Sequence, residues 1–274
     1  MIFQRLIWAA LATAVLVGGV QTGVQRWQAA PLILAAEVYE EQKAEAPEPV
    51  VPVAHVHAEA VAHEHEHAHG AAKEWEPANG FERIGWTLVA NILHAFSMAL
   101  LVFAVMGVCL WRGASLRALP LALWTAAAGW LVFHLWPSLG LHAEIPGMDA
   151  ARLGSRQGWW LLAAISAALA CASIAGLRSH LRWVAAAAWL ALPYVVGAPH
   201  ISADPLAGFG PEAQTALRQL GIQFIWATTW VALSFWASMG IVGGLAFQRW
   251  VQPGLLAVLK GAGVADANAV GAAR

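Results

Sequence analysis

Long apolar runs separated by short polar segments dominate the chain. The first extends from Leu6 to Val24, preceded by Arg5 and closed by Arg26 and Trp27. At about 20 residues it is long enough to cross a bilayer core. A second run covers about Gly85 to Leu110, with Trp86 and Trp111 as interfacial anchors. Further runs follow at about Ala118 to Leu139, Gly158 to Gly176, Trp183 to Gly197 (the shortest) and Gly221 to Phe247. Gly19 with Gly23, and Gly240 with Gly244, have the small-xxx-small spacing that lets membrane helices approach closely.

The pattern predicts an all-α polytopic membrane helix bundle of six transmembrane helices, or five if the first or the short fifth run does not span. Residues 1–27 form an N-terminal transmembrane helix, 28–84 an acidic, His-rich outer loop, 85–247 a five-helix bundle, and 248–274 a disordered tail. Within the loop, Glu37 to Glu76 reads as a disordered linker because proline, alanine and acidic residues crowd it. A cleaved leader ending near Leu34 to Ala36 is the rival for the first run, but its length favours a retained helix.

Composition agrees. The chain is 59% hydrophobic and 11% charged, with a mean hydropathy of +0.60, where soluble domains carry about a quarter charged residues. Membrane lipid is therefore the first partner expected, and nothing points to nucleic acid. Cys109 and Cys171 lie in apolar runs without ligand or disulfide spacing. No GxxxxGK[ST] loop and no nucleophile motif occurs, so the chain is not expected to be an enzyme, and any ATP use would need another subunit.

The net charge of −1 conceals an asymmetry. With the N-terminus inside, eight basic residues (Arg5, Arg112, Arg117, Arg178, Arg182, Arg249, Lys260, Arg274) face the cytoplasm against one acid, Asp266. The other side holds seven bases and fifteen acids. The positive-inside bias therefore predicts both termini in the cytoplasm and the His-rich loop outside.

That loop carries the most evident chemistry. Residues 55–69, HVHAEAVAHEHEHAH, hold six of the eleven histidines (His55, His57, His63, His65, His67, His69), interleaved with Glu59, Glu64 and Glu66. Neutral imidazole is a common ligand of divalent transition metals, and carboxylates attract the cation before it binds. Alternate spacing offers many overlapping partial sites, which suits capture and hand-over; the plainer alternative is a solvated linker whose histidines bind nothing.

Two histidines fall inside spans, where ionisable groups usually face a bundle interior or a water-filled path. His94, about 14 Å into the second span, shares a helix face with Asn91 and Met98. His134 lies in the outer half of the third. For Met98, Met106 and Met239 the alternative is simple packing.

A family resemblance rests on the His-rich loop, His134 with Pro137, Leu139 to Leu141 (LGL), Glu144 to Met148 (EIPGM), Arg156 to Trp160 (RQ-x-WW) and Gly197 to His200 (GAPH). In order and spacing these resemble the CbtA family of probable cobalt transporter subunits, over nearly the whole chain. The resemblance implies a bacterial inner-membrane protein for cobalt uptake, often linked to cobalamin synthesis, working with a small single-helix CbtB-type subunit that has its own His-rich terminus. The family is usually described with five spans, and with prolines after LGL where this chain has His142 and Ala143.

Together these readings predict a relay for a divalent ion, cobalt first, with nickel or zinc as competitors. The loop captures the ion; His142, Glu144, Asp149, His200 and Asp204 form a mouth; His134 and then His94, with Met98, carry it inward. Rival readings are a haem held by His94 and His134, and a sensor or accessory protein that only presents metal. The small-residue faces on the first and sixth helices suit packing within one bundle and packing between copies, as a homo-oligomer, equally.

Overall fold

The computed structural model describes residues 2–45 and 77–259. Among these the chain is helical, without strands. Five helices are long and apolar enough to cross a membrane: α1 (Ile2–Gln28), α3 (Phe81–Trp111), α4 (Ala118–Ser138), α5 (Leu153–Gly176) and α7 (Pro211–Leu259). Two shorter helices complete the set, α2 (Ala30–Glu45) and α6 (Leu181–Val196).

The fifth predicted span corresponds to α6. Its 16 residues rise only about 24 Å, short of a core about 30 Å thick. The helix nevertheless returns along α5. The indole N–H of Trp159, near the start of α5, donates to the carbonyl of Pro193 near the end of α6 (3.0 Å), and the Tyr194 hydroxyl donates to the carbonyl of Trp136 at the end of α4 (2.6 Å). The chain therefore passes along the bundle six times, and one pass is short.

Two expectations about the polar segments change. Residues 30–45, which include the start of the predicted disordered linker, are helical, because Ala36 is fully buried and clusters with Ile145, Leu206 and Leu217. The last helix continues beyond Phe247 to Leu259 rather than stopping at Gln248, and Val251 is buried in the bundle core.

Small residues set the helix spacing, as expected where lipid offers no contrast in polarity and close contact is what binds helices together. Along the seam of α4 and α7, a Cβ on Gly240 would meet Ala126 and Leu123, and one on Gly244 would meet Ala122 at 2.8 Å. A Cβ on Gly129 would overlap the Trp236 ring. The predicted Gly240–Gly244 face is thus a real interface. Gly19 and Gly23 instead face open space, and Gly18 is the close glycine of α1, against the backbone of Ile92 on α3.

The bundle has two unlike ends. At one, Gly254 approaches Ile2 and Arg5; this is the terminal end. At the other, α2, the turn around Ile145–Met148, the turn around Leu206–Phe209 and the start of α7 form a separate apolar cluster; this is the loop end. There Arg83 clasps Glu37 (2.5 Å), fastening the start of α3 to α2.

Candidate metal site

A cleft of about 850 Å³ opens into the loop half of the bundle. Ligand pockets commonly run from roughly 300 to 1,000 Å³. Its walls come from α1, α2, α3, α4, α5 and α7, and both membrane histidines, with Met98, line it. Of the candidate residues read from the sequence, His94, Met98 and His134 share one space.

Each histidine is set by its neighbours. His94 lies about 20 Å along α3 from its start, by helical rise, and its ring leans on Phe235 of α7 with centroids 5.0 Å apart. His134 sits in a π-helical turn at Leu131–Leu135; such one-residue dislocations recur at functional sites because they re-aim a side chain. Its Nε2 is 3.3 Å from the Thr229 hydroxyl, which itself donates to the carbonyl of Ile225 (2.8 Å). The threonine proton being spent, Nε2 is the donor to Thr229, which leaves the Nδ1 lone pair for a ligand.

His134 also lines a second, smaller cavity of about 170 Å³, together with His142. Phe133, His134, Trp160 and Thr228 are common to both spaces and form the partition between them. The structure thus arranges His142, His134 and His94 in series.

The other predicted mouth residues do not join them. Glu144 pairs with Arg156 (2.5 Å). Asp204 pairs with Arg218 (2.7 Å) and accepts from the backbone N–H of Leu206. Asp149 and His200 are exposed, and the backbone N–H of Asp149 joins its turn to the carbonyl of Pro205 (2.8 Å). None of these four lines either cavity. Among the described residues no three or more His, Cys, Asp or Glu side chains gather closely enough to cage an ion. The six loop histidines, His55, His57, His63, His65, His67 and His69, lie outside the described residues.

A polar band on α1 was missed from sequence. Gln21, Thr22 and Gln25 line the cleft, and the Asn91 amide of α3 donates to Thr22 Oγ1 (2.9 Å) and to Gln25 Oε1 (2.7 Å). The available signal was two glutamines at i and i+4, but ending the apolar run at Val24 placed Gln25 outside the span. Among the described residues no carboxylate lines the cleft, and the guanidinium groups of Arg26 and Arg83 do. Its donors are imidazole nitrogen, thioether sulfur and neutral oxygen, a set that accepts divalent transition metals without the charge that would hold them tightly.

No curated protein and no solved structure matches the chain. The family described as probable cobalt transporter subunit (CbtA) matches residues 3–248, a stretch running from α1 through both cavities into the last turns of α7. On that match, this helical membrane protein with a two-histidine cleft belongs to the CbtA family of probable cobalt transporter subunits.

Proposed function

We propose that this subunit captures a divalent transition-metal ion, cobalt first, on its His-rich segment and passes it into the helix bundle through the cleft. One observation supports the reading: Asn79 and Gly80, the residues that follow the segment and lead into α3, line the same space as His94 and His134. An ion bound on a segment tethered to Asn79 has a raised local concentration at the cleft, which favours its transfer to the next imidazole. His142 and His134 give a second approach through the smaller cavity.

The charge asymmetry supports an orientation in a bacterial inner membrane with both termini in the cytoplasm and the segment in the periplasm. Family membership supports a partner subunit, for which a small single-helix CbtB-type protein with its own His-rich terminus is the candidate. Nickel and zinc would compete, because affinity at a mixed nitrogen and oxygen site rises from cobalt to nickel, and selectivity then rests on geometry and supply.

The test is uptake of radioactive cobalt into cells expressing the chain with and without the partner, comparing the intact segment with a deletion from Ala54 to Gly70. Chain-dependent uptake that falls on deletion only at low cobalt establishes a capture device feeding a path. Equal uptake with and without the chain overturns the reading. A Soret band in the purified protein would instead assign the two histidines to a haem.

A further inference from the structure

The cleft offers an ion too few direct ligands. Two imidazoles and one thioether line it, with the guanidinium groups of Arg26 and of Arg83, the latter paired with Glu37, and among the described residues no carboxylate does, whereas a divalent cobalt ion in water has six positions to fill. Positions the protein does not fill keep water, and metal-bound water is a strong hydrogen-bond donor that needs acceptors once it leaves bulk solvent. The acceptors are on α1. Thr22 Oγ1 donates to the carbonyl of Gly18 (2.8 Å) and accepts one bond from Asn91, so one lone pair remains. Gln25 Oε1 likewise accepts one bond from Asn91 and keeps one lone pair.

Gln21, one helical turn before Gln25, is the independent sign that something is missing. The residue is only 9% exposed, it lines the cleft, and its Oε1 is covered without a hydrogen-bond partner among the described residues. A buried amide oxygen left bare is costly. Its terminal torsion is soft, so rotation can present the oxygen to an occupant of the cleft. Asn91, which clamps Thr22 and Gln25, lies one turn from His94 on α3, so the acceptor face and the imidazole belong to one level of the bundle.

We propose that the cleft takes its ion partly hydrated, with Gln21, Thr22 and Gln25 accepting hydrogen bonds from metal-bound water while His94 ligates the ion directly. Asn91 is a positioning residue for this face. The inference rests on the reading of the cleft as a metal path and adds the chemical form of the substrate, an aqua ion that has given up only part of its water. Neutral acceptors hold such an ion loosely, and the retained water lets it leave by exchange.

The experiment measures the cobalt concentration for half-maximal uptake in cells expressing the full chain and its partner. Gln21→Leu and Gln25→Leu, which conserve volume and raise hydropathy, are each expected to increase it about tenfold at unchanged surface expression, the size of one charge-assisted hydrogen bond. Gln21→Glu is expected to lower it and to slow the maximal rate, because a carboxylate holds the ion. His94→Ala is the control for the path. If His94→Ala abolishes uptake while both leucine variants keep the wild-type half-saturation, the water-shell inference fails and the path stands. If His94→Ala has no effect, the path itself fails. The visible spectrum of cobalt on the purified chain, with the six loop histidines replaced by glutamine, gives a second readout that needs no change in the cleft. Weak six-coordinate absorption is expected, and intense tetrahedral bands would overturn the inference.

Discussion

The two halves of the bundle share the same helices and solve opposite problems. In the loop half, α1 and α3 carry amides, hydroxyls and an imidazole on facing surfaces and leave a space of about 850 Å³. In the terminal half the same two helices carry Ala9, Ala10, Thr13, Val102, Phe103 and Met106, which with Met239 and Phe247 of α7 are all at most 2% exposed. One half leaves an open cleft, and the other is packed closed. The difference lies in side-chain size and polarity along continuous helices, since neither α1 nor α3 breaks between the halves. Met106 and Met239 belong to the packed half and do not line the cleft.

The largest effect should come from enlarging a glycine packed tightly against a neighbouring helix. Gly129→Leu would drive its side chain into Trp236, and overpacking of this kind costs typically about 1–3 kcal/mol or more. The expected result is loss of the folded protein from detergent extracts, seen as a collapsed thermal transition. The same change at Gly19, which meets nothing within 4 Å, should leave the transition in place. Equal damage at both positions would contradict the contrast between packed and open faces.

Next in size are the cleft histidines. His94→Ala and His134→Ala should each lower cobalt uptake at least about tenfold, the loss that a missing outer-shell partner already causes at metal sites, with little change in thermal stability. A fall in stability without a fall in uptake per folded molecule would return both residues to a packing role.

The His-rich segment should matter less and only conditionally. Deleting residues 54–70 should reduce uptake at low cobalt and not at high cobalt. Lowering the pH should imitate the deletion: an ordinary histidine titrates near about pH 6.5, and its protonated form cannot ligate, so capture present above that range is lost as the pH falls through it. Metal binding that is unchanged at about pH 5 would count against capture by imidazole.

The smallest effects belong to the loop-end acids. Asp204 and Arg218 are both substantially exposed, and such surface pairs contribute about 0–1 kcal/mol. Asp204→Asn should therefore leave uptake within about twofold and stability within about 0.5 kcal/mol. A large loss of uptake would restore Asp204 to the mouth predicted from sequence.

Much of this fold was legible because lipid imposes a coarse rule: spans must be long and apolar, and their flanking charges alternate. That rule located the five long helices and the short α6 but not α2, small-residue spacing located the Gly240–Gly244 seam, and the cost of burying ionisable groups in lipid singled out His94 and His134. It did not separate Gly18 from Gly19, because which side of α1 touches α3 depends on helix rotation, and both glycines lie in one apolar run. For the same reason the exposed acids of the loops were grouped with His142, although Glu144 and Asp204 spend their charge on Arg156 and Arg218.

The sequence by itself determined the membrane setting, the family and the identity of the histidines, because those depend on composition and on motifs read along the chain. Only the tertiary structure decided that His142, His134 and His94 stand in series, that α2 closes over the loop end, and that Gln21, Thr22 and Gln25 belong to the site. These are matters of which faces meet. A face is chosen by packing between helices distant in sequence, as when Asn91 reaches across to Thr22 and Gln25.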